Sequence, residues 1–235
     1  MPSPCTASPP RPSTPPESRG AVRAVRVLVL CSALLTLAVV VEWGPLVRFD
    51  RTVADTTHRW ALAEPGVTHL LRVLTDWVWD PWTMRLLSAV AVVWLWARRR
   101  DRWTAGWLAA TCLLGAAAQQ GLKAAVDRPR PVWAVPVDSA RYAAFPSGHA
   151  MTAAFVCLLL VWLLYRHGAS RGVRRTAVVL AALSVAGVGF TRVWLGVHWT
   201  TDVVGGWLLG ALVAALAVLA HRRWRPWDRR PARAR

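Results

Sequence analysis

Residues 191–202 read TRVWLGVHWTTD and set Arg192, His198 and Asp202 within one short stretch of an otherwise apolar chain. Charged groups beside a membrane-crossing run are costly, and they mark either function or anchoring. His198 and Asp202 stand four apart, so on a helix they share a face. The carboxylate can then hold one ring nitrogen and leave the other free, which makes His198 a candidate nucleophile or base. Taken alone, the stretch also fits a snorkelling Arg and an interfacial His at a helix end.

Two stretches upstream carry matching chemistry. Residues 145–149, FPSGH, place a Pro, a Ser cap and a Gly before a long apolar run, which reads as a helix start. Free backbone N–H groups at such a start attract a phosphate, and His149 is positioned to give it a proton. Residues 123–131, KAAVDRPRP, separate Lys123 from Arg130 by six residues and break the helix at Pro129 and Pro131. Two cations so placed can clamp a phosphoryl group. Each of these stretches alone also fits a simpler use, as a helix cap or a pair of span-end anchors. Of the 29 Lys and Arg residues, Lys123 is the single lysine, so the chain keeps an ammonium at this position while writing Arg elsewhere.

The 235 residues are 55% hydrophobic with a mean hydropathy of +0.33, which is too apolar for an ordinary soluble domain and predicts a compact all-α, multipass transmembrane helix bundle. Six apolar runs qualify as spans: residues 27–43, 82–97, 103–122, 149–165, 176–190 and 203–220. The first is retained rather than cleaved, because Glu42, Trp43, Gly44 and Pro45 after it offer no small-residue cleavage site. Over residues 67–79, Val67, Leu70, Leu71, Leu74 and Val78 follow helical spacing, with His69, Arg72 and Asp76 opposite. That pattern predicts a short amphipathic interfacial helix at the bundle's outer edge. Residues 1–20 read as a disordered Pro-rich cytoplasmic tail, 21–221 as the membrane domain and 222–235 as a basic cytoplasmic tail.

The net charge of +17 falls in Arg clusters flanking the apolar runs, where topology demands it, so nucleic acid is not the expected partner. Arg clusters at residues 98–102, 166–175 and from Arg222 onward mark the cytoplasmic side. With the N-terminus inside, six alternating spans bring the three motif stretches to one extracytoplasmic face. Trp43, Trp82, Trp103, Trp199 and Trp224 stand at run ends as an aromatic belt. Cys31, Cys112 and Cys157 lie inside apolar runs and Cys5 in the tail, so neither a disulfide nor a metal cage is expected.

In this order, the three stretches resemble the signature of the type 2 phosphatidic acid phosphatase (PAP2) superfamily: Lys, six residues, Arg-Pro; Pro-Ser-Gly-His; and Ser-Arg, five residues, His, three residues, Asp. Only the first position of the third motif departs, with Thr191 in place of Ser. The resemblance runs from about residue 50 to the last span. It implies an integral membrane lipid phosphatase in which Lys123, Arg130 and Arg192 bind the phosphoryl oxygens with help from Ser147 and Gly148. It further implies that His198 attacks phosphorus to form a phosphohistidine, Asp202 orients it, and His149 protonates the leaving group, with no metal or other cofactor. The expected substrate is a lipid phosphate or polyprenyl diphosphate drawn from the bilayer. Which lipid, mono- or diphosphate preference, and the oligomeric state are left open by the residues. Two other readings stay in view: a non-enzymatic channel or transporter, which would spread polar residues along the spans, and a vanadate-dependent haloperoxidase-like enzyme with a similar anion pocket.

Overall fold

A computed structural model of the chain describes residues 16–224. The remaining residues, 1–15 and 225–235, lie outside the described part, and with them most of both expected tails. Eight α-helices follow in order among the described residues: α1 (Pro16–Val40), α2 (Gly44–Ala63), α3 (Pro65–Val73), α4 (Pro81–Ala97), α5 (Arg102–Val126), α6 (Gly148–Arg166), α7 (Arg171–Trp194) and α8 (Thr200–Trp224). A π-helical turn, Leu74–Val78, joins α3 to α4. α1 begins at Pro16, so residues 16–20, expected within the disordered tail, are helical.

Local chemistry explains where these helices start and stop. Prolines open α2, α3 and α4, where a missing N–H costs nothing. The Asp80 carboxylate accepts from Trp82 N at 2.7 Å and Asp101 from Thr104 N at 3.1 Å, capping α4 and α5. α5 stops at Asp127, whose left-handed φ of 43° turns the chain ahead of Pro129.

α6 is the central post of the bundle, with Met151, Phe155, Val156, Leu159 and Leu163 buried against Met84 and Leu95 of α4, Leu108 of α5 and Ala214 of α8. α8 approaches it closely because Gly206 and Gly210 carry no Cβ. A Cβ at position 206 would stand 2.8 Å from Ser147 O, and one at 210 would stand 2.7 Å from Ala154 Cβ. The small-residue pair therefore serves packing inside the monomer. Large apolar side chains such as Leu34, Leu37, Leu86, Val90, Leu180 and Leu183 point outward, as a bilayer requires.

Four helices are long and apolar enough to cross a membrane, with qualifying stretches Arg19–Val40, Gly148–Arg166, Arg171–Trp194 and Thr200–Trp224. α4 coincides with the second expected span, but its 17 residues rise only ~25 Å at ~1.5 Å each. α5 has the length, with 25 residues, but carries Gln119, Gln120 and Lys123 in its last turns. The six-span arrangement thus rests on pairing these two with the four, as a proposal taken up below.

Residues 67–79 form α3 and the π-turn; His69 and Asp76 of the expected polar side are exposed and Arg72 is half-buried, while two threonines turn inward. Thr68 and Thr75 are buried whereas Leu70 and Trp77 are exposed. Thr68 Oγ1 donates to Ala61 O at 2.8 Å and accepts from Trp194 Nε1 at 3.0 Å, which docks α3 on α7. Helical spacing shows which residues share a face but not which face meets the protein. At a membrane the apolar face is the outward one.

At the opposite end of the bundle the basic clusters are tied together. Arg166 pairs with Asp101 at 3.8 Å, and Thr104 Oγ1 lies 3.0 Å from His221 Nε2.

Candidate active site

Four helix ends converge at the end remote from the basic clusters: the C-termini of α5 and α7 and the N-termini of α6 and α8. They enclose an open cavity of about 440 Å³ whose walls include Lys123, Arg130, Gly148, His149, Arg192 and His198. Ser147 and Asp202 sit directly behind the wall, both fully buried. All eight candidate residues are therefore brought together, although they span residues 123–202 of the chain.

The imidazole of His198 is fixed at both nitrogens. Nδ1 lies 3.3 Å from Asp202 Oδ2, which also accepts the Trp199 backbone N–H at 2.9 Å. Nε2 faces the guanidinium of Arg130, with Nη1 at 3.1 Å. A guanidinium can only donate, so Nε2 must offer its lone pair and Nδ1 must carry the proton. Burial, reinforced by the charges of Arg130, Arg192 and Lys123, holds the His198 pKa well below its ordinary value. The ring is thus neutral, with its Nε2 lone pair held by Arg130 at the cavity wall.

The cations are held by neutral partners. Arg130 donates from Nε to Tyr142 O at 2.8 Å and from Nη2 to Arg141 O at 3.0 Å, and Lys123 Nζ donates to Ala143 O. Backbone carbonyls of one loop thus pre-set two side chains without cancelling their charge. Arg192, only 4% exposed, reaches Thr75 Oγ1 of the π-turn at 3.5 Å, and its Nε has no partner. The buried Ser147 Oγ is likewise unpartnered. Unpartnered donors this deeply buried call for an acceptor, and the first amides of α6 add more donors at the same spot. A tetrahedral oxyanion meets that demand.

Gly148 permits this close approach, since a Cβ there would fall 2.5 Å from Gln119 Nε2. His149 lies across the cavity, with Nε2 3.8 Å from Asp80 Oδ2, the cap of α4. The hydroxyl of Thr191, where the family pattern has Ser, turns back to Val188 O at 2.8 Å and does not enter the cavity.

Sequence reading assigned no role to a second cluster behind Asp202. Arg128 Nη1 donates to Asp202 Oδ1 at 2.6 Å and to Thr201 Oγ1 at 2.8 Å, while Nη2 donates to Asp50 Oδ2 at 2.8 Å. Asp50, on the buried stripe of α2, accepts the Thr201 backbone N–H at 3.0 Å. The sequence signal for Arg128 was its place in the Asp-Arg-Pro-Arg-Pro run; Asp50, in a mixed polar segment, had none.

A family model described as the PAP2 superfamily matches residues 104–226. The chain is 39% identical over 93 residues to phosphatidylglycerophosphatase B of Bacillus subtilis, covering 39% of this chain and 45% of that relative. It is 30% identical over 154 residues to decaprenylphosphoryl-5-phosphoribose phosphatase of Mycobacterium tuberculosis, covering 64% of this chain and 75% of that one. It is 36% identical over 81 residues to undecaprenyl-diphosphatase of Sulfolobus acidocaldarius, covering 32% of each. The match to the Bacillus relative thus takes in less than half of that protein's length. Among solved structures, a transmembrane PAP2-type phosphatidylglycerolphosphate phosphatase from Bacillus subtilis superimposes with a TM-score of 0.75 at 22% identity, covering 87% of this chain and 98% of that one. That likeness concerns the fold.

Proposed function

The chain belongs to the PAP2 superfamily, and from that premise we propose that it is an integral membrane phosphatase. It hydrolyses a lipid phosphate or polyprenyl (di)phosphate at the extracytoplasmic face through a phosphohistidine, without a metal. The observation that carries this reading is the fixed, neutral His198: Nδ1 on Asp202, Nε2 toward a cavity walled by Lys123, Arg130 and Arg192.

The chemistry follows from the donor set. The substrate phosphoryl group displaces Arg130 from His198 Nε2 and takes its equatorial oxygens to Arg130, Lys123 and Arg192, with Ser147 and the α6 amides adding donors. The Nε2 lone pair forms the N–P bond as the P–O bond to the leaving group breaks. The leaving oxygen takes the proton of His149, and the proton on His198 Nδ1 stays shared with Asp202, which stabilises the charged phosphohistidine. His149, now neutral, accepts a proton from water, whose oxygen attacks phosphorus and breaks the N–P bond. Inorganic phosphate is released with the lipid alcohol from a monophosphate, or with the lipid monophosphate from a diphosphate, and His149 is protonated again. Three cations supply the charge stabilisation that divalent ions give elsewhere.

The substrate class is supported by the relatives, which act on phosphatidylglycerophosphate, decaprenylphosphoryl-5-phosphoribose and undecaprenyl diphosphate, as their names state. The face is supported by charge: the cavity lies at the end opposite Arg98, Arg99, Arg100, Arg166 and Arg222, and positive loops stay cytoplasmic. On this reading α4 and α5 complete six spans and both termini are cytoplasmic.

Phosphate release by the purified protein from a panel of lipid phosphates, with EDTA present, tests the proposal. Turnover in EDTA, inhibition by vanadate and an acid-labile, base-stable phosphoenzyme that is lost in His198→Ala are expected. Loss of turnover in EDTA with rescue by Mg²⁺ or Zn²⁺ would overturn the mechanism.

A further inference from the structure

The buried chain Asp50–Arg128–Asp202 is built with more donors and acceptors than helix packing requires. Asp50 is 1% exposed and Asp202 0%, and both oxygens of each carboxylate are engaged. Arg128 stands between them, using one terminal nitrogen for each. The result is a division of labour on Asp202. Oδ1 is committed to Arg128, which leaves Oδ2 for Trp199 N and His198 Nδ1. Asp50 in turn grips the first turn of α8 through Thr201 N, so the helix that carries Asp202 is held in register by the same carboxylate that holds Arg128.

We propose that Arg128, anchored by Asp50, is a positioning residue for the nucleophile: it sets the rotation of the Asp202 carboxylate and thereby the tautomer and direction of His198. The proposal rests on the phosphohistidine reading above. It assigns a role to α2, which contributes nothing to the cavity itself. The guanidinium is suited to this and an ammonium is not, because only a planar fork offers two separate nitrogens to two carboxylates in one plane. Arg128 touches no reacting atom, so its removal should slow the chemical step and leave phosphate binding alone.

A second cavity, of about 250 Å³, opens on the far side of Arg128 between Leu46, Val47, Asp50, Arg51 and Trp199. It makes a sharp test available, since truncation of Arg128 leaves a solvent-connected space the shape of its own head group. Dioctanoyl glycerol phosphate in detergent micelles serves as substrate and inorganic phosphate as competitive inhibitor. Arg128→Ala is expected to lower kcat by about 10- to 100-fold, by analogy with the loss of partners that orient metal-bound histidines, with KM and the phosphate Ki within about twofold of wild type. Guanidinium chloride at millimolar concentration should restore much of kcat, while ammonium chloride should not. Arg128→Lys should stay slow. Asp50→Asn should lower kcat in wild type but add little in Arg128→Ala, because the two act as a unit. Arg51→Ala, which lines the same cavity outside the network, is the control and should match wild type.

An Arg128→Ala protein with wild-type kcat overturns the proposal, as does one that loses kcat and phosphate affinity together with no guanidinium rescue, the pattern of a purely structural residue. If wild type releases no phosphate from any lipid phosphate, the phosphatase reading fails instead. ¹⁵N NMR of the His198 ring then still decides the positioning claim without turnover: a protonated Nδ1 in wild type that changes in Arg128→Ala supports it, and an unchanged ring refutes it.

Discussion

Replacing Asp202 by Asn swaps one oxygen for an amide nitrogen and removes the charge, and the consequence can be worked out from the donors around it. Both sides of the carboxylate face donors: Arg128 Nη1 at 2.6 Å on Oδ1, and Trp199 N at 2.9 Å with His198 Nδ1 at 3.3 Å on Oδ2. No orientation of an amide satisfies all three. With its NH₂ toward Arg128 the side chain gives up a charge-assisted bond, about 1.5–3 kcal/mol, and leaves a part-buried guanidinium donor facing another donor. With its NH₂ toward His198 it loses the neutral Trp199 bond, about 0.5–1.5 kcal/mol, and the imidazole must accept at Nδ1. The second orientation is therefore the cheaper one. It moves the ring proton to Nε2, the atom that attacks phosphorus in the proposed mechanism. A catalytic histidine forced into the wrong tautomer by the same Asp-to-Asn change in a serine protease loses about 10⁴ in kcat, and a loss of about that size is expected here. KM should change little, because Lys123, Arg130 and Arg192 are untouched. Single-turnover phosphoenzyme formation on a short-chain lipid phosphate, alongside steady-state kcat and the phosphate Ki, reads the effect. An Asp202→Asn enzyme within about tenfold of wild-type kcat would refute the tautomer argument.

His149→Ala should lose about 10² to 10⁴ in rate on alkyl phosphates and much less on aryl phosphates, whose leaving group needs no proton; equal losses on both, with chemistry limiting, would remove the general-acid role. Since burial and the neighbouring cations hold the His198 pKa below its ordinary 6.5, the neutral nucleophile persists as pH falls through that value. The limb of the kcat/KM profile that reports protonation of His198 should accordingly lie below pH 6.5, and a limb above it that shifts in Arg130→Gln would contradict the electrostatic account. Gly206→Val puts a branched side chain where a single Cβ would already stand 2.8 Å from Ser147 O. It should destabilise the α6–α8 contact by about 1–3 kcal/mol, read as a lower midpoint of thermal unfolding in detergent. Cysteines placed at Ala134 and Ala169, in a chain whose four native cysteines are replaced, should be labelled from outside only at the first; the reverse pattern would invert the proposed orientation.

Much of this architecture was legible in the linear chain because its signals are local. A run of apolar residues identifies a helix without reference to its neighbours, and each of the six expected runs falls on a helix, of which four are long and apolar enough to cross a membrane. The spacing of His198 and Asp202, the Pro-Ser-Gly-His start of α6 and the lone lysine of α5 flag candidate groups for the same reason, since each sets them at one helix end, although His198 lies in the turn before α8 rather than on a shared helix face. What the chain alone left undecided was every choice between two faces. Over residues 67–79 His69 and Asp76 of the expected polar side stay exposed, but Thr68 and Thr75, to which the spacing gave no side, turn inward to meet Ala61, Trp194 and Arg192. Thr191 kept the hydroxyl of the family pattern, but its helix supplied a nearer acceptor in Val188. Asp50 and Arg128 lie 78 residues apart, and Arg128 and Asp202 lie 74 apart. No local pattern distinguishes a carboxylate on α2 that meets water from one that meets a guanidinium. Hydrophobic periodicity measures burial along one helix, whereas the pairing of buried charges depends on which helix ends converge, and only packing of α5 and α8 against α6, with α2 against α8, brings those groups within hydrogen-bond reach.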